Sequence, residues 1–216
     1  MTAGTPAQAA PDRDCALCPR LREFRDQNRA EFGADWLNAP VPSFGTLDAP
    51  LLIVGLAPGL RGANRTGRPF TGDGAGDLLY PSLLQFGLAE GTYDRRADDG
   101  LSLKGVRITN AVRCVPPGNK PVGAEIAACN AFLAAEIAAM TRLRAVLALG
   151  RVAHEAVLLS QNMKKSAYKF EHSGFFDLPN GILLADSYHC SRYNLNTGRL
   201  TEGMFHGVLD AIKARL

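Results

Sequence analysis

At 216 residues and 23.1 kDa the chain suits one compact domain with a short tail and is cramped for two. Its 46% hydrophobic and 21% charged residues supply enough apolar surface to offset chain entropy, which excludes extended disorder. A net charge of +3 names no polyanionic partner by itself, and no apolar run approaches the ~20 residues of a membrane span or forms a secretory signal, so a cytoplasmic protein is expected.

Residues 1–12 are small, polar and proline-containing and read as a tail, with residues 13–216 as the domain. A helical pattern covers Cys18–Phe32 and gives way to an extended connection through Pro40, Pro42 and Pro50. Four short apolar runs, Leu51–Val54, Val106–Thr109, Ala145–Leu149 and Ile182–Ala185, are predicted strands. Helices are predicted over Gly76–Phe86, with Pro81 as a candidate kink, and over Val122–Met140, Arg151–Gln161 and Thr201–Leu216. Continuous apolar strands separated by helices predict an α/β fold with a parallel sheet covered on both faces. Such sheets bind ligands beyond the carboxyl ends of their strands.

The loops at those ends carry the unusual residues. Between Gly55 and Gly76 lie seven glycines and two prolines, which let backbone approach a ligand closely, yet the segment has no lysine and no Walker A spacing. Arg61, Arg65 and Arg68 in this loop are candidate phosphate contacts. The second strand runs into Asn110, and the fourth into His189, so an amide and an imidazole are expected over one pocket, with Asp73 nearby. The stretches Gly100–Ala124 (Lys104, Arg107, Arg113, Lys120) and Ser187–Thr201 (Arg192, Arg199) contain no acid and predict a phosphate-facing rim.

Five cysteines in a reducing compartment point to metal or chemistry rather than disulfides. Cys15 and Cys18 form a C-x-x-C pair, and Cys114 and Cys129 follow the second strand. Packing of the N-terminal helix beside Val122–Met140 would bring all four together as ligands of zinc or of an iron–sulfur cluster, between which spacing does not choose. Cys190 is left over as a thiol expected near the pocket.

The segments GLAPG with NRTGRPFTGDGAGD, ITNAVRCVPPGNKP and DSYHCSRYNLNTGRLT lie in this order over predicted strand ends. With the four cysteines they make the chain resemble the family 5 (type B) uracil-DNA glycosylases of bacteria and archaea, over nearly everything from Cys15 onward. The resemblance implies a three-layer α/β/α sandwich around a four-stranded parallel sheet, and a structural [4Fe–4S] cluster on Cys15, Cys18, Cys114 and Cys129. It further implies hydrolysis of the N-glycosidic bond of uracil in double-stranded DNA, leaving an abasic site, with hypoxanthine and other deaminated bases as further candidate substrates. Other repair proteins are candidate partners, and nothing in the sequence demands more than a monomer.

By the same resemblance Gly55, Leu56, Ala57, Phe70 and Asn110 line the base pocket, with Phe70 stacking on the flipped base and Asn110 reading its amide edge. The Ser191–Leu195 loop enters the duplex, with Arg192, Tyr193 and Leu195 as wedge and phosphate contacts and Arg199 beside them. His189 is expected to donate to uracil O2 as negative charge develops there. Leu56 and Ala57 occupy positions where other branches of the superfamily carry a carboxylate, so Asp73 is left to position water. One departure is Cys190, where the family usually has proline after the histidine; it removes a fixed φ and adds a backbone donor. The alternative reading is a non-catalytic or crosslinking uracil-DNA-binding protein of the same superfamily. No inserted basic loop that would carry such a crosslink is visible.

Overall fold

The computed structural model describes residues 10–216, so most of the expected tail lies outside the described residues. The strands are β1 (Leu51–Gly55), β2 (Ala89–Glu90), β3 (Ser102–Leu103), β4 (Val106–Asn110), β5 (Ala145–Leu149), β6 (Phe175–Asp177) and β7 (Leu183–Ser187). The α-helices are α1 (Pro19–Phe32), α2 (Ala63–Thr66), α3 (Gly76–Gln85), α4 (Gly123–Ala139), α5 (Arg151–Ser160), α6 (Arg192–Asn196) and α7 (Glu202–Lys213). The main sheet has the order β4-β1-β5-β7-β6, and β2 pairs with β3 in a separate antiparallel ladder.

The first four strands of the main sheet are parallel, as the apolar runs predict. They are buried on both faces because alternate side chains enter different cores. Leu51 and Ile53 of β1 face Leu79 and Leu83 of α3 and Phe205 and Leu209 of α7. Leu52 and Val54 face Leu133 and Ile137 of α4 and Val157 of α5. The result is the expected three-layer α/β/α sandwich. It has one addition, the short strand β6, which pairs antiparallel with the edge of β7. Three residues directly after Gly174 are too short a run to read as a strand without their partner.

Helix α3 continues across Pro81 to Gln85, and Thr201 caps α7, its hydroxyl accepting from the Met204 amide at 3.2 Å. The segment expected as an inserting loop contains the short helix α6, capped by the Ser191 side chain. Among the described residues no helix is long and apolar enough to cross a membrane.

Three of the four cations in the acid-free stretch before Ala124 are neutralised by acids from elsewhere in the chain, and Lys120 is left exposed. Arg107 and Arg113 converge on Glu136 of α4, a fully buried carboxylate, at 2.6 and 2.5 Å, and Lys104 pairs with Glu90. Helix packing brings the neutralising acid from 23 or more residues away in the chain, where a linear charge count does not see it.

Candidate active site and cysteine cavity

Parallel pairing sets Gly55 at the end of β1 directly beside Asn110 at the end of β4. A Cβ at Gly55 would run into the Asn110 carboxamide and come within 2.5 Å of the Phe70 ring, so glycine here lets both side chains close over the strand end. Phe70 itself adopts φ 54°, a left-handed conformation that costs an aromatic residue ~1–2 kcal/mol. Its ring faces the His189 imidazole, with centroids 5.8 Å apart and planes inclined by 30°.

Asp73 is held from two sides. Its Oδ1 accepts the Ala75 amide at 3.0 Å, and its Oδ2 lies where a Cβ on Gly59 would approach to 2.9 Å and one on Gly62 closer still. Burial raises its pKa above the usual 3.8, against the pull of the Ala75 and Gly76 amides. The carboxylate is therefore a better proton acceptor than an exposed aspartate. Burial lowers His189 to about 4, so its imidazole is neutral near pH 7 and can donate through one nitrogen. Phe70, Asp73, Asn110 and His189 line one recess together with Ala57 and Pro58. The recess opens into a cleft of about 430 Å³ bordered by Leu56, Gly74, Asn119, Ser191 and Arg192.

Arg192 lies across Gly74, which has no room for a side chain, and its guanidinium is 3.8 Å from Asp77. Tyr193, in the first turn of α6, is 71% exposed. Leu195, expected in the wedge, instead packs half-buried against the main core. Arg61 and Arg65 are exposed on the first loop, and Arg199 stacks over Tyr188 at 4.7 Å in a second cleft that His189 also lines.

Arg68 does not belong with them. It is 4% exposed, forms two bonds to Asp99 at 2.8 and 2.7 Å, and sits within 6 Å of the Phe44, Tyr80 and Tyr93 rings. A guanidinium enclosed this way is desolvated and already paired, so it is no phosphate contact. Cys190 is likewise removed from the pocket lining. Its thiol is fully buried in the main core behind the site and its pKa is pushed up to about 12 by burial and by Asp73.

The four remaining cysteines lie around one cavity beside the start of α4. Arg20 and Glu125 form a two-pronged bond, 2.7 Å on each arm, that ties the first turn of α1 to the first turn of α4. Cys15, Cys18, Cys114 and Cys129 then line one small cavity walled by Leu17, Leu21, Val112 and Phe132. Burial first, and then neighbouring thiols, raise Cys18 to about 11 and Cys114 to about 12. Among the described residues no three His, Cys, Asp or Glu side chains are grouped as ligands of a single metal ion. Arg25 is 2% exposed, donates to the Cys15 carbonyl at 2.9 Å and leaves its Nε without a hydrogen-bond partner while its charge acts on Cys114. Ala57 of the first loop packs against the same cluster of side chains, joining the cavity wall to the base recess.

Residues 42–213 match the model of the uracil DNA glycosylase superfamily. The chain is 47% identical over 203 residues to a type-5 uracil-DNA glycosylase of Thermus thermophilus, covering 92% of each protein. It is 42% identical over 192 residues to one of Pyrobaculum aerophilum, covering 87% of this chain and 83% of that one. The chain belongs to the type-5 uracil-DNA glycosylases. A third member, from Mycobacterium leprae, is 41% identical over 208 residues and covers 92% of this chain. Asn119 borders the cleft, a position the sequence motifs did not single out. Its φ of 56°, in the turn after Pro117 and Gly118, offered the one local signal, because asparagine tolerates that conformation.

Proposed function

We propose that this chain is a monofunctional DNA base-excision repair glycosylase that hydrolyses the N-glycosidic bond of uracil in double-stranded DNA. The observation that carries the reading is the convergence of Phe70, Asn110, Asp73 and His189 on one recess at the strand ends. A base in a duplex is out of reach of such a recess, so the nucleotide must be extruded, at a cost of a few kcal/mol that is smallest at a mismatch. Tyr193 is the exposed ring available to fill the gap, and Arg61, Arg65, Arg192 and Arg199 are the exposed cations available to the backbone phosphates.

Once flipped, uracil stacks on Phe70 and offers its amide edge to Asn110, whose carboxamide has both a donor and an acceptor. Cytosine presents the wrong pattern there. The C1′–N1 bond then breaks with its electron pair leaving on the base. The neutral His189 imidazole donates to O2 where that charge collects, and a pre-aimed donor in a water-poor recess favours the transition state over the ground state. Water adds to C1′, positioned by the Asp73 carboxylate, which takes up its proton. The products are free uracil and an abasic site. Ala57 lines the recess and Leu56 borders the cleft beside it, and these two apolar side chains set no carboxylate against a bulkier deaminated base, so hypoxanthine is a second substrate of the same site.

Cys15, Cys18, Cys114 and Cys129 would hold a [4Fe–4S] cluster. Support comes from the donor set itself. Burial and neighbouring thiols raise Cys18 and Cys114, so these side chains need a cationic centre to act as thiolate ligands. Bound there, the cluster would supply a cross-link between the start of α1, α4 and the loop after β4, and Ala57, which packs against the same side chains, would connect that cross-link to the recess wall.

A labelled duplex with one U·G pair tests the function. Incubation followed by alkali is expected to cut the strand at the uracil. A retained protein–DNA adduct would favour the crosslinking reading, and an uncut duplex with no adduct would refute both.

A further inference from the structure

Phe70 presents its ring to the recess from a backbone conformation that an aromatic residue does not hold unaided. The carbonyls that flank its Cα, those of Pro69 and of Phe70 itself, are both anchored. Tyr80, fully buried in α3, donates its hydroxyl to the Pro69 carbonyl at 2.5 Å, and Tyr93 donates to the Phe70 carbonyl at 3.4 Å. Arg68 reaches across to Thr71 Oγ1 at 2.8 Å and is itself fixed by Asp99 and by the faces of Tyr80 and Tyr93. Gly76 completes the enclosure, since a Cβ there would collide with the Phe70 carbonyl and the Tyr93 hydroxyl.

We propose that Tyr80, with Arg68, Asp99 and Tyr93, is a clamp that holds Phe70 in its left-handed conformation and thereby positions the stacking surface for the flipped base. Tyr80 is then a positioning residue for uracil excision. The proposal rests on the reading of Phe70 as the stacking platform. Without the two anchored carbonyls the Phe70 backbone would relax towards negative φ, turning the ring away from Gly55 and Asn110. The Arg68–Asp99 ion pair inside the aromatic cage is directional, and through Thr71 it fixes the backbone next to Phe70 as an apolar side chain could not.

A double-mutant cycle on the full-length protein tests this. Single-turnover release of uracil from a U·G duplex is measured for the parent, Tyr80→Phe, Phe70→Ala and the pair, with binding to a duplex carrying non-hydrolysable 2′-fluoro-2′-deoxyuridine as the second readout. Tyr80→Phe is expected to slow release about fivefold and leave duplex affinity within about twofold. Phe70→Ala is expected to slow it about tenfold or more, and the double variant to be no slower than Phe70→Ala within about twofold. Parental release by Tyr80→Phe, or an undiminished Tyr80→Phe penalty in the Phe70→Ala background, would overturn the clamp while leaving the platform standing. Parental release by Phe70→Ala would remove the platform and the clamp with it. Should the alanine variant fail to fold, Phe70→Leu takes its place in the cycle.

Discussion

His189 ties the chemistry to the acid stability of the fold. Burial lowers its folded pKa to about 4, against about 6.5 for an unfolded imidazole. Above pH 6.5 both states are neutral and the residue contributes nothing to pH dependence. Between those values the unfolded chain takes up a proton that the folded one refuses, so stability falls as the pH falls, and the loss is complete below about 4. At pH 5 the cost is ~2 kcal/mol, and at the acid limit ~3 kcal/mol. His189→Gln is neutral throughout and should escape it. Urea unfolding at pH 7 and pH 5 is expected to show the parent losing ~2 kcal/mol more than the variant between the two pH values, or roughly 4–8 °C in Tm for a domain of this size. Equal losses by parent and variant would mean that His189 is not held neutral, and its role as a neutral donor to uracil O2 would go too.

Asp73→Asn should slow base release by ~10²–10⁴-fold with duplex affinity retained. Because burial raises the Asp73 pKa and the ionised form is the active one, the parent's rate should fall with decreasing pH from above 3.8, and a pH–rate profile of the variant should lack that limb. Gly62→Ala drives a Cβ into the Asp73 carboxylate, so its base release should drop about tenfold or more, whereas Gly203→Ala in α7, where nothing lies within 4 Å, should match the parent. Elemental analysis of anaerobically purified protein should find about four irons per chain, lost together when Cys114 is replaced by serine; one zinc in their place would refute the cluster. Glu136→Gln leaves Arg107 and Arg113 without their buried counter-charge and should cost ~3–5 kcal/mol in urea unfolding, with an unchanged free energy arguing that the triad is solvated.

The parallel strands were legible because each is a run of residues buried on both faces, and a run such as Leu51–Val54 needs no partner to be recognised. Strand β6 was not, since three residues form a strand only against the edge of β7. Asp73, Asn110 and His189 were legible as chemistry at strand ends, but the reason they share a recess is the register that sets Gly55 beside Asn110. Charge was read least well. Arg68, Arg107 and Arg113 look like phosphate contacts in a linear count, and all three are paired with acids that packing delivers from elsewhere. Leu195 and Cys190, likewise, face the core from a segment whose neighbours face the cleft.

The order of apolar runs and strand-end motifs determined an α/β sandwich with its chemistry at one edge of the sheet, because hydrophobic periodicity and loop composition are local properties of the chain. The spacing of four cysteines likewise brought a shared ligand site into question before any fold was known. What the tertiary structure alone decided was the partner of each charge and the direction of each side chain. Ion pairs and burial depend on which elements pack together, and a residue's neighbours in space are seldom its neighbours in sequence. Arg68 shows the difference most plainly: the sequence offers a basic loop residue, and packing against Asp99 and three aromatic rings turns it inward to brace Phe70.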